Sequence, residues 1–378
     1  MAGRVEAFFL REWQHASAWQ ILLQPLSWLY RGLIALRDMA YTRGYFRAER
    51  IDVPVIVVGN ITVGGTGKTP IVLALSQWLA THGARPGIVT RGYTRTSAAH
   101  RPPESVIQVV TPAHACSATF SDEALLLAER SGRPVFVGAK RAQVAQGLRK
   151  KFPETNVIVC DDGLQHYRLK RDVEIAVVDG TRGFGNGHCL PAGPLREPVE
   201  RLRHVDCIVL NNPNIDGHLQ ANLPETARQS LSLRSYLASF NVPIFDMTYQ
   251  RARLSKLHNS DASHASGELS PDAFVEAVAG KRVVAIAGIG NPERFFAHVR
   301  RLGIALHDAV AFPDHHVYQL QDLGGVTADI ILMTEKDAVK CREFVGVDDR
   351  LWIMRVDAAL PDAFFEFVLK KIDHVARP

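Results

Sequence analysis

The chain has 378 residues, of which 47% are hydrophobic and 22% charged; this balance argues against long disordered regions and predicts a buried core. The length is typical of two domains. The net charge of +5 fits an anionic partner such as a nucleotide or an acidic membrane surface, although a solvated basic surface gives the same value. The five cysteines form no C-x-x-C pair, which argues against a zinc site or a disulfide framework.

Residues 1–50 are predicted to form an amphipathic, membrane-associated helical segment. The stretch Trp13–Tyr30 has no Lys, Arg, Asp or Glu and holds three of the five tryptophans, and five arginines follow it up to Arg50. Tryptophan rings prefer the headgroup level of a bilayer, and arginines pair with anionic lipid. We therefore expect an interfacial helix. The alternatives are a core helix packed on the first domain, or a membrane span, which Gln24 and Pro25 disfavour.

Residues 51–254 are predicted to form a parallel α/β domain. Val53–Gly59 is a continuous apolar run of strand length, as in a strand buried on both faces of a sheet. A glycine-rich turn follows, and Pro70–Ala80 has the pattern of a helix. Alternating strands and helices are typical of a parallel sheet covered on both faces. Further strands are predicted at Gly87–Thr90, Val135–Val137, Val157–Cys160 and Ile175–Val178, with a helix over Ser121–Arg130 that Ser121 caps.

The sequence G-N-I-T-V-G-G-T-G-K-T-P (59–70) predicts a phosphate-binding loop of the P-loop NTPase type. Its glycines let backbone N–H groups point at phosphate oxygens, and the following helix adds its positive end. Lys68 is expected to reach the β- and γ-phosphates, and Thr69 to hold Mg²⁺. The strict pattern has glycine at the position of Thr62, which is a departure. The residues expected to contact the nucleotide are Thr62, Gly64, Gly65, Thr66, Gly67, Lys68 and Thr69.

Acidic residues lie at two of the predicted elements: directly after a strand and in the first turn of a helix. Asp161 and Asp162 come directly after V-I-V-C, where carboxylates are placed to hold Mg²⁺ near a phosphate loop. An alternative is that they cap a helix. Asp122 lies in the first turn of the predicted helix 121–130, and such acids are usually partners of the helix dipole. The pattern by itself therefore gives Asp122 no catalytic role.

The glycine- and proline-rich stretch 179–198 is interpreted as a substrate or phosphate loop, because polar side chains including Arg196 lie among its glycines. Residues 255–378 are predicted to form a smaller C-terminal α/β lobe. Residues 255–270 read as a linker or long loop, and alternation resumes at Val283. Two such lobes predict an active site in the cleft between them.

Taken together, these motifs resemble the tetraacyldisaccharide 4'-kinase (lipid A 4'-kinase) family. The match extends over nearly the whole chain, in order. The matching pieces are the loop 59–70, T-R-G-Y (90–93), S-D-E-A (121–124), D-D-G-L-Q-H (161–166), D-G-T-R-G-F-G-N-G…L-P-A-G-P-L-R-E-P (179–198), G-I-G-N-P-E-R-F-F (288–296), D-H-H (314–316) and M-T-E-K-D-A-V-K-C (333–341).

The resemblance implies a two-lobed kinase with a membrane-associated N-terminal helix. Such an enzyme uses ATP and Mg²⁺ to phosphorylate the 4'-hydroxyl of a tetraacylated glucosamine disaccharide 1-phosphate, giving lipid IVA, at the cytoplasmic face of the bacterial inner membrane. It implies Asp122 as the catalytic base, with His315 as its partner, beside Lys68. The resemblance also implies that Glu197 is one of the residues near the Mg²⁺ ion. Expected partners are the acylated lipid and the membrane surface, with no nucleic acid and no obligate protein partner.

A competing hypothesis is a GTPase or ATPase of the switch or metallochaperone type, which shares this style of phosphate loop. Guanine recognition usually needs [N/T]-K-x-D, and in Thr334-Glu335-Lys336-Asp337 the lysine stands one place late. The nucleotide that supports turnover separates the two hypotheses: ATP for the kinase, GTP for the switch.

Overall fold

The computed structural model describes residues 12–13, 18–92, 108–110, 120–212, 225–250, 252–257, 267–314 and 316–376. The helices in these ranges are α1 (Ala18–Thr42), α2 (Lys68–Thr81), α3 (Asp122–Ser131), α4 (Arg141–Lys151), α5 (Glu225–Ala238), α6 (Pro271–Ala277), α7 (Pro292–Arg301), α8 (Leu320–Gly324), α9 (Glu335–Cys341) and α10 (Asp362–Ala376). The 3₁₀ helices are Val199–His204 and Arg342–Phe344.

The strands form two sheets. They are β1 (Val55–Gly59), β2 (Pro86–Thr90), β3 (Gln108–Val110), β4 (Val135–Val137), β5 (Val157–Asp161), β6 (Val173–Asp179), β7 (Cys207–Asn211), β8 (Ile244–Tyr249), β9 (Arg253–Lys256), β10 (Val283–Ala287), β11 (Asp308–Ala311), β12 (Ile330–Thr334), β13 (Leu351–Arg355) and β14 (Ala358–Ala359). The first sheet has the order β14-β8-β7-β6-β1-β5-β2-β4-β3, and the second has the order β11-β10-β12-β13-β9.

Both sheets are mainly parallel, as predicted, and the departures lie at their edges. In the first sheet, β3 and β14 pair antiparallel with β4 and β8. In the second, β9 pairs antiparallel with β13. The central strands are buried along their whole length, because helices cover both faces. The continuous apolar run V-I-V-V-G of β1 follows directly from that double burial.

Each sheet has a separate core on each of its faces. Ile56 and Val58 of β1 face one core of the first sheet, and Val55 and Val57 face the other, because side chains alternate along a strand. The second sheet repeats this arrangement with its own two clusters. The predicted fold class, two α/β/α lobes with a P-loop type of parallel sheet in the first, is confirmed.

The predicted boundary at residue 255 differs from the way the strands are divided between the two sheets. The strand β9 already belongs to the second sheet, while β14 joins the first. Phe364 and Val368 of α10 are buried in a core of the first sheet. The apolar spacing of residues 364–372 predicts a helix, but it carries no information about which of two sheets the helix covers.

Helix α1 presents apolar side chains to solvent and buries polar ones. Trp28 and Leu29 are 65% and 63% exposed, whereas Gln20 and Ser27 are buried. The Ser27 hydroxyl donates to the carbonyl of Cys189 at 2.7 Å, which places this face of the helix against the first lobe. Within the described ranges, no helix combines the length and apolarity that crossing a bilayer requires.

Candidate active site

Four parallel strands of the first sheet end at one edge, where their last residues supply polar groups. Gly59, Asp161, Asp179 and Asn211 close β1, β5, β6 and β7, and these strands are neighbours in register. Ligands of open α/β sheets bind at this carboxyl edge. The phosphate loop begins at the same edge and ends where α2 starts.

The loop's geometry requires glycine at two positions. Gly64 and Gly67 have φ values of 97° and 94°, in the left-handed region. A Cβ on Gly67 would stand 2.4 Å from Nδ2 of Asn211. That same amide donates to the carbonyl of Thr66 at 2.9 Å, so the last residue of β7 supports the loop through a hydrogen bond.

Lys68 is held at the mouth of the loop by two oxygens. Its Nζ donates to Oδ1 of Asn60 at 3.1 Å and lies 3.4 Å from Oδ1 of Asp162. Asn60 in turn donates to the carbonyl of Thr62 at 2.9 Å. The lysine is therefore preorganised beside the loop. Asn60 was not predicted as a site residue, although its place directly after a buried strand is a usable signal.

The two neighbouring aspartates have different surroundings. The side chain of Asp161 is buried, and its Oδ1 has no hydrogen-bond partner among the described residues. Burial first, then Glu123 and Asp162, raise the pKa of Asp161 to about 7. Asp162 has a φ of 52°. Burial would raise its pKa, but Lys68 and Arg196 outweigh that and lower the pKa well below its ordinary value.

The donor set fits Mg²⁺ bound with a nucleotide. Oδ1 of Asp161 is buried and has no hydrogen-bond partner among the described residues, so it is available as a ligand, and Thr69 provides a hydroxyl at the start of α2. The described residues contain no cluster of three His, Cys, Asp or Glu side chains able to hold a metal. Mg²⁺ in nucleotide sites usually takes one or two protein ligands and the phosphates, so this sparse set is suitable.

Glu197, expected on the metal side, has other partners in the structure. Its Oε1 accepts from Tyr167 Oη at 2.8 Å and from Arg37 Nη2 at 3.2 Å, and the side chain is fully buried. Burial raises its pKa. Because these donors occupy the carboxylate behind the loop, Glu197 is not part of the cavity lining. Thr62 is also outside that lining, since its backbone and side-chain oxygens accept from Asn60.

Asp122 begins α3, with Ser121 as the predicted N-cap, accepting from Ala124 N at 3.3 Å. The carboxylate of Asp122 is buried, and its Oδ2 lies 3.7 Å from Nζ of Lys340 in the second lobe. Lys340 also bonds Asp337 at 2.8 Å, so the cation lies between two acids. His315, the expected partner of Asp122, lies outside the described residues.

The second lobe contributes charged groups to the same cleft. Arg294 at the start of α7 donates to Asp179 at 3.2 Å and to Asn211 at 3.0 Å. Lys336 lies 3.3 Å from Asp314 and 3.6 Å from Glu123. The motifs at 288–296 and 333–341, together with Asp314, thus converge opposite the phosphate loop although they are distant in sequence.

A cavity of about 1110 Å³ lies between the lobes. Its wall contains the phosphate loop from Val63 to Pro70, together with both metal-side aspartates. Arg294 and Lys336 line it from the second lobe. Glu123 also lines the cavity, whereas Asp122 lies directly behind the wall. A space of this size accommodates a nucleotide and part of a second substrate.

Comparison with known proteins agrees with this geometry. A family model described as LpxK, tetraacyldisaccharide-1-P 4'-kinase, matches residues 19–373. The tetraacyldisaccharide 4'-kinase of Methylobacillus flagellatus is 41% identical over 366 residues, covering 96% of this chain and 95% of the relative. That of Herminiimonas arsenicoxydans is 44% identical over 372 residues, covering 97% and 96%.

A solved structure extends the comparison to the fold. The crystal structure of LpxK from Aquifex aeolicus in complex with ATP has a TM-score of 0.70 and 25% identity, covering 93% of this chain and 99% of that one. Sequence and fold therefore agree over almost the full length. The chain belongs to the tetraacyldisaccharide 4'-kinase family.

Proposed function

We propose that this protein transfers the γ-phosphoryl group of ATP to the 4'-hydroxyl of a tetraacylated glucosamine disaccharide 1-phosphate, giving lipid IVA. The observation that carries the proposal is the inter-lobe cavity. Its wall joins Lys68 and Asp161 at the phosphate loop to the family motifs of the second lobe. Family membership over residues 19–373 supports the same acceptor.

The residues at hand supply what phosphoryl transfer needs. Lys68 neutralises charge that develops on the transferred group, and the loop's N–H groups orient the phosphates. Mg²⁺, held by Asp161 and Thr69 with Asp162 nearby, would add further neutralisation when bound. A sugar hydroxyl is a weak nucleophile, and we assign the removal of its proton to Asp122, with His315 as partner. Nζ of Lys340 lies 3.7 Å from Oδ2 of this carboxylate, on the side of the second lobe.

We place the reaction at the cytoplasmic face of the inner membrane, with α1 lying on the bilayer surface. The lipid acceptor leaves a bilayer only at a cost of about 0.8 kcal/mol per buried CH₂, so the enzyme must approach the membrane. Trp19 and Trp28 of α1 are 55% and 65% exposed, and the exposed Arg43 and Arg47 follow the helix. Aromatic rings with neighbouring arginines suit a headgroup region.

The switch-type hypothesis is not favoured. In a guanine-specific site, the aspartate of the [N/T]-K-x-D motif must be free to read the base. Here Asp337 accepts from the backbone N–H of Gly288 at 3.2 Å, from the Thr334 hydroxyl at 2.7 Å and from Lys340. The carboxylate is fully buried in these contacts, so it has no capacity left for a nucleotide base.

The proposal is tested by the acceptor dependence of nucleotide turnover. The protein is incubated with Mg²⁺ and either ATP or GTP, with and without the acylated disaccharide 1-phosphate in detergent micelles, and ADP or GDP release is measured. A kinase releases ADP only when the lipid is present, and Lys68→Ala abolishes the release. Nucleotide hydrolysis that is independent of the lipid, or that prefers GTP, would instead support the switch hypothesis.

A further inference from the structure

A short extended segment, residues 194–197, lies against the phosphate loop. The backbone N–H of Val63 donates to the carbonyl of Pro194 at 2.8 Å, and the N–H of Arg196 donates to the carbonyl of Ile61 at 2.7 Å. We call residues 194–197 the strap. Through these bonds the strap sets the position of the loop's first half.

The strap also supplies a charge to the phosphate site. Nη1 of Arg196 lies 3.1 Å from both oxygens of Asp162. Asp162 is the carboxylate that pairs with Lys68 at 3.4 Å. Arg196 therefore shares the negative charge of Asp162 and leaves Lys68 less tightly bound to it, so that the ammonium remains available to phosphate.

On its other side, the strap is held by helix α1. The Tyr30 hydroxyl donates to the carbonyl of Arg196 at 3.1 Å, and Arg37 donates to Glu197 at 3.2 Å. The guanidinium of Arg37 also lies 4.8 Å from the ring centroid of Tyr167, which donates to the same carboxylate. A fully buried carboxylate keeps its place only while its donors and cations remain. Arg37 is thus one of the groups that fix Glu197.

We propose that Arg37 is a positioning residue for phosphoryl transfer, acting through Glu197 on the adjacent Arg196 and so on the pair formed by Asp162 and Lys68. This inference rests on the proposed function and adds to it. The helix that we place on the membrane surface also sets the geometry of the phosphate site. When Arg37 is removed, Tyr167, Gln165 and Arg201 still contact Glu197, but its Oε1 loses one of its two donors. We expect the strap to shift, so that Arg196 neutralises Asp162 less and Asp162 binds Lys68 more tightly.

The test compares Arg37→Met and Arg37→Lys with a matched control, Arg31→Met. Arg31 is on the same helix and lies 4.0 Å from Glu200, but both side chains of that pair are more than half exposed. For each variant, kcat and the KM for MgATP and for lipid are measured in detergent micelles. Flotation with vesicles containing anionic lipid and the melting temperature are measured beside them.

Arg37→Met is expected to lower kcat/KM for MgATP by about 10-fold while the KM for lipid and vesicle binding stay unchanged. Arg37→Lys, which keeps the charge, recovers part of the loss. Arg31→Met stays within about twofold of the wild type, as an exposed pair predicts. A residue that only anchored the helix would change vesicle binding or the KM for lipid and leave the KM for MgATP alone.

Tyr30→Phe provides a second variant should Arg37→Met fail to fold, because it removes only the hydroxyl that donates to the strap. It too is expected to raise the KM for MgATP. An Arg37 series, or Tyr30→Phe in its place, that behaves like Arg31→Met overturns the positioning role while the wild type still phosphorylates the lipid. A wild-type protein that transfers no phosphoryl group overturns the proposed function instead.

Discussion

The neighbouring carboxylates Asp161 and Asp162 differ because only Asp162 forms direct ion pairs, whereas burial outweighs the more distant attraction of Lys68 and Arg141 for Asp161. Asp162 contacts Lys68 and Arg196, whereas Asp161 is buried with one oxygen unpartnered among the described residues. Burial raises the pKa of Asp161 from its ordinary 3.8 to about 7. The folded protein therefore binds this proton more tightly than the unfolded chain, and between these values stability rises as the pH falls.

Asp161→Asn is expected to make the nucleotide-free protein more stable at pH 8, because the variant buries no charge there. The melting temperature should rise by roughly 2–4 °C for each kcal/mol gained. The gain shrinks as the pH falls toward 6, where the wild-type carboxyl takes up its proton. Thermal scans at both pH values measure this, and Mg²⁺-dependent turnover should be lost. An equal melting temperature at pH 8 would contradict a net cost of burying the Asp161 carboxylate.

The base is tested by comparing Asp122→Asn with Glu123→Gln. Asp122→Asn should slow turnover by roughly 10²- to 10⁴-fold, because Asn keeps the shape but accepts no proton. Glu123→Gln should have the smaller effect, since its carboxylate pairs with Lys336. The measurement is kcat with the acylated acceptor. Because Glu123 and not Asp122 lines the cavity, the reverse order of effects would move the role to Glu123.

Among individual site residues, the sequence predicted those that can be recognised from the residues next to them in the chain. Lys68 follows a glycine-rich turn, and Asp161 ends an apolar run, so both were found from neighbours in the chain. Lys340 and Arg294 were not found, because their partners Asp122 and Asp179 are more than a hundred residues away. For Glu197, nothing in the sequence indicated that its carboxylate accepts from Arg37 and Tyr167, while the adjacent Arg196 contacts Asp162 at the loop.

Helix α1 combines an anchored face with an exposed apolar face. Its polar Ser27 and Tyr30 bond the first lobe, and its tryptophans and leucines face outward. An amphipathic helix with its apolar face exposed loses water-exposed area when it lies on a bilayer. That α1 lies on a membrane surface stays a prediction, and substitutions on its exposed apolar face test it directly.

The double substitution Trp28→Ser with Leu29→Ser should weaken flotation with anionic vesicles and leave the melting temperature unchanged. Both side chains are more than 60% exposed and support no core. Leu231→Ser on α5, where the leucine is 47% exposed, is the control for a general loss of surface hydrophobicity. Vesicle binding that falls equally in the control, or not at all in the double variant, would argue against α1 as the membrane-binding element.

Element prediction succeeded where both faces of a strand are buried. Val135–Val137 was predicted to the residue, and the run at 157–160 was one residue short. The sequence did not indicate which of the two sheets an element joins, because that depends on tertiary packing. The last segment reads as a helix from its own spacing, yet only the packing of Phe364 against the first sheet decides where it lies.

The two lobes are joined on one side of the cleft by ion pairs between α3 and the second lobe. Arg130 bonds both Glu335 and Asp357, and Arg342 bonds Glu129. The side chain of Arg130 is only 5% exposed, and coulombic attraction to its two acids raises its pKa despite burial. Arg130, Glu335 and Asp357 of this cluster also line the cavity.

Arg130→Met should destabilise the protein by about 2 kcal/mol, because two partly buried carboxylates lose the cation that contacts them directly and keep only the more distant Arg355. Arg282→Met is the matched control, since the pair of Arg282 with Asp329 at 3.2 Å is nearly half exposed on both sides. The control should leave the urea midpoint nearly unchanged, because solvent screens an exposed pair. Urea unfolding measures both. Equal losses would mean that the inter-lobe cluster contributes no more than a surface pair.

The most direct test of the whole account follows the phosphoryl group itself. The protein is incubated with ATP labelled at the γ-phosphate and the acylated disaccharide 1-phosphate, and the labelled lipid is then treated with mild acid. A phosphate on the 4'-hydroxyl is an ester of an ordinary alcohol and survives, whereas the anomeric 1-phosphate is released. We expect acid-stable label in the lipid and none with Lys68→Ala; no label in the lipid, or label lost to mild acid, would contradict the account.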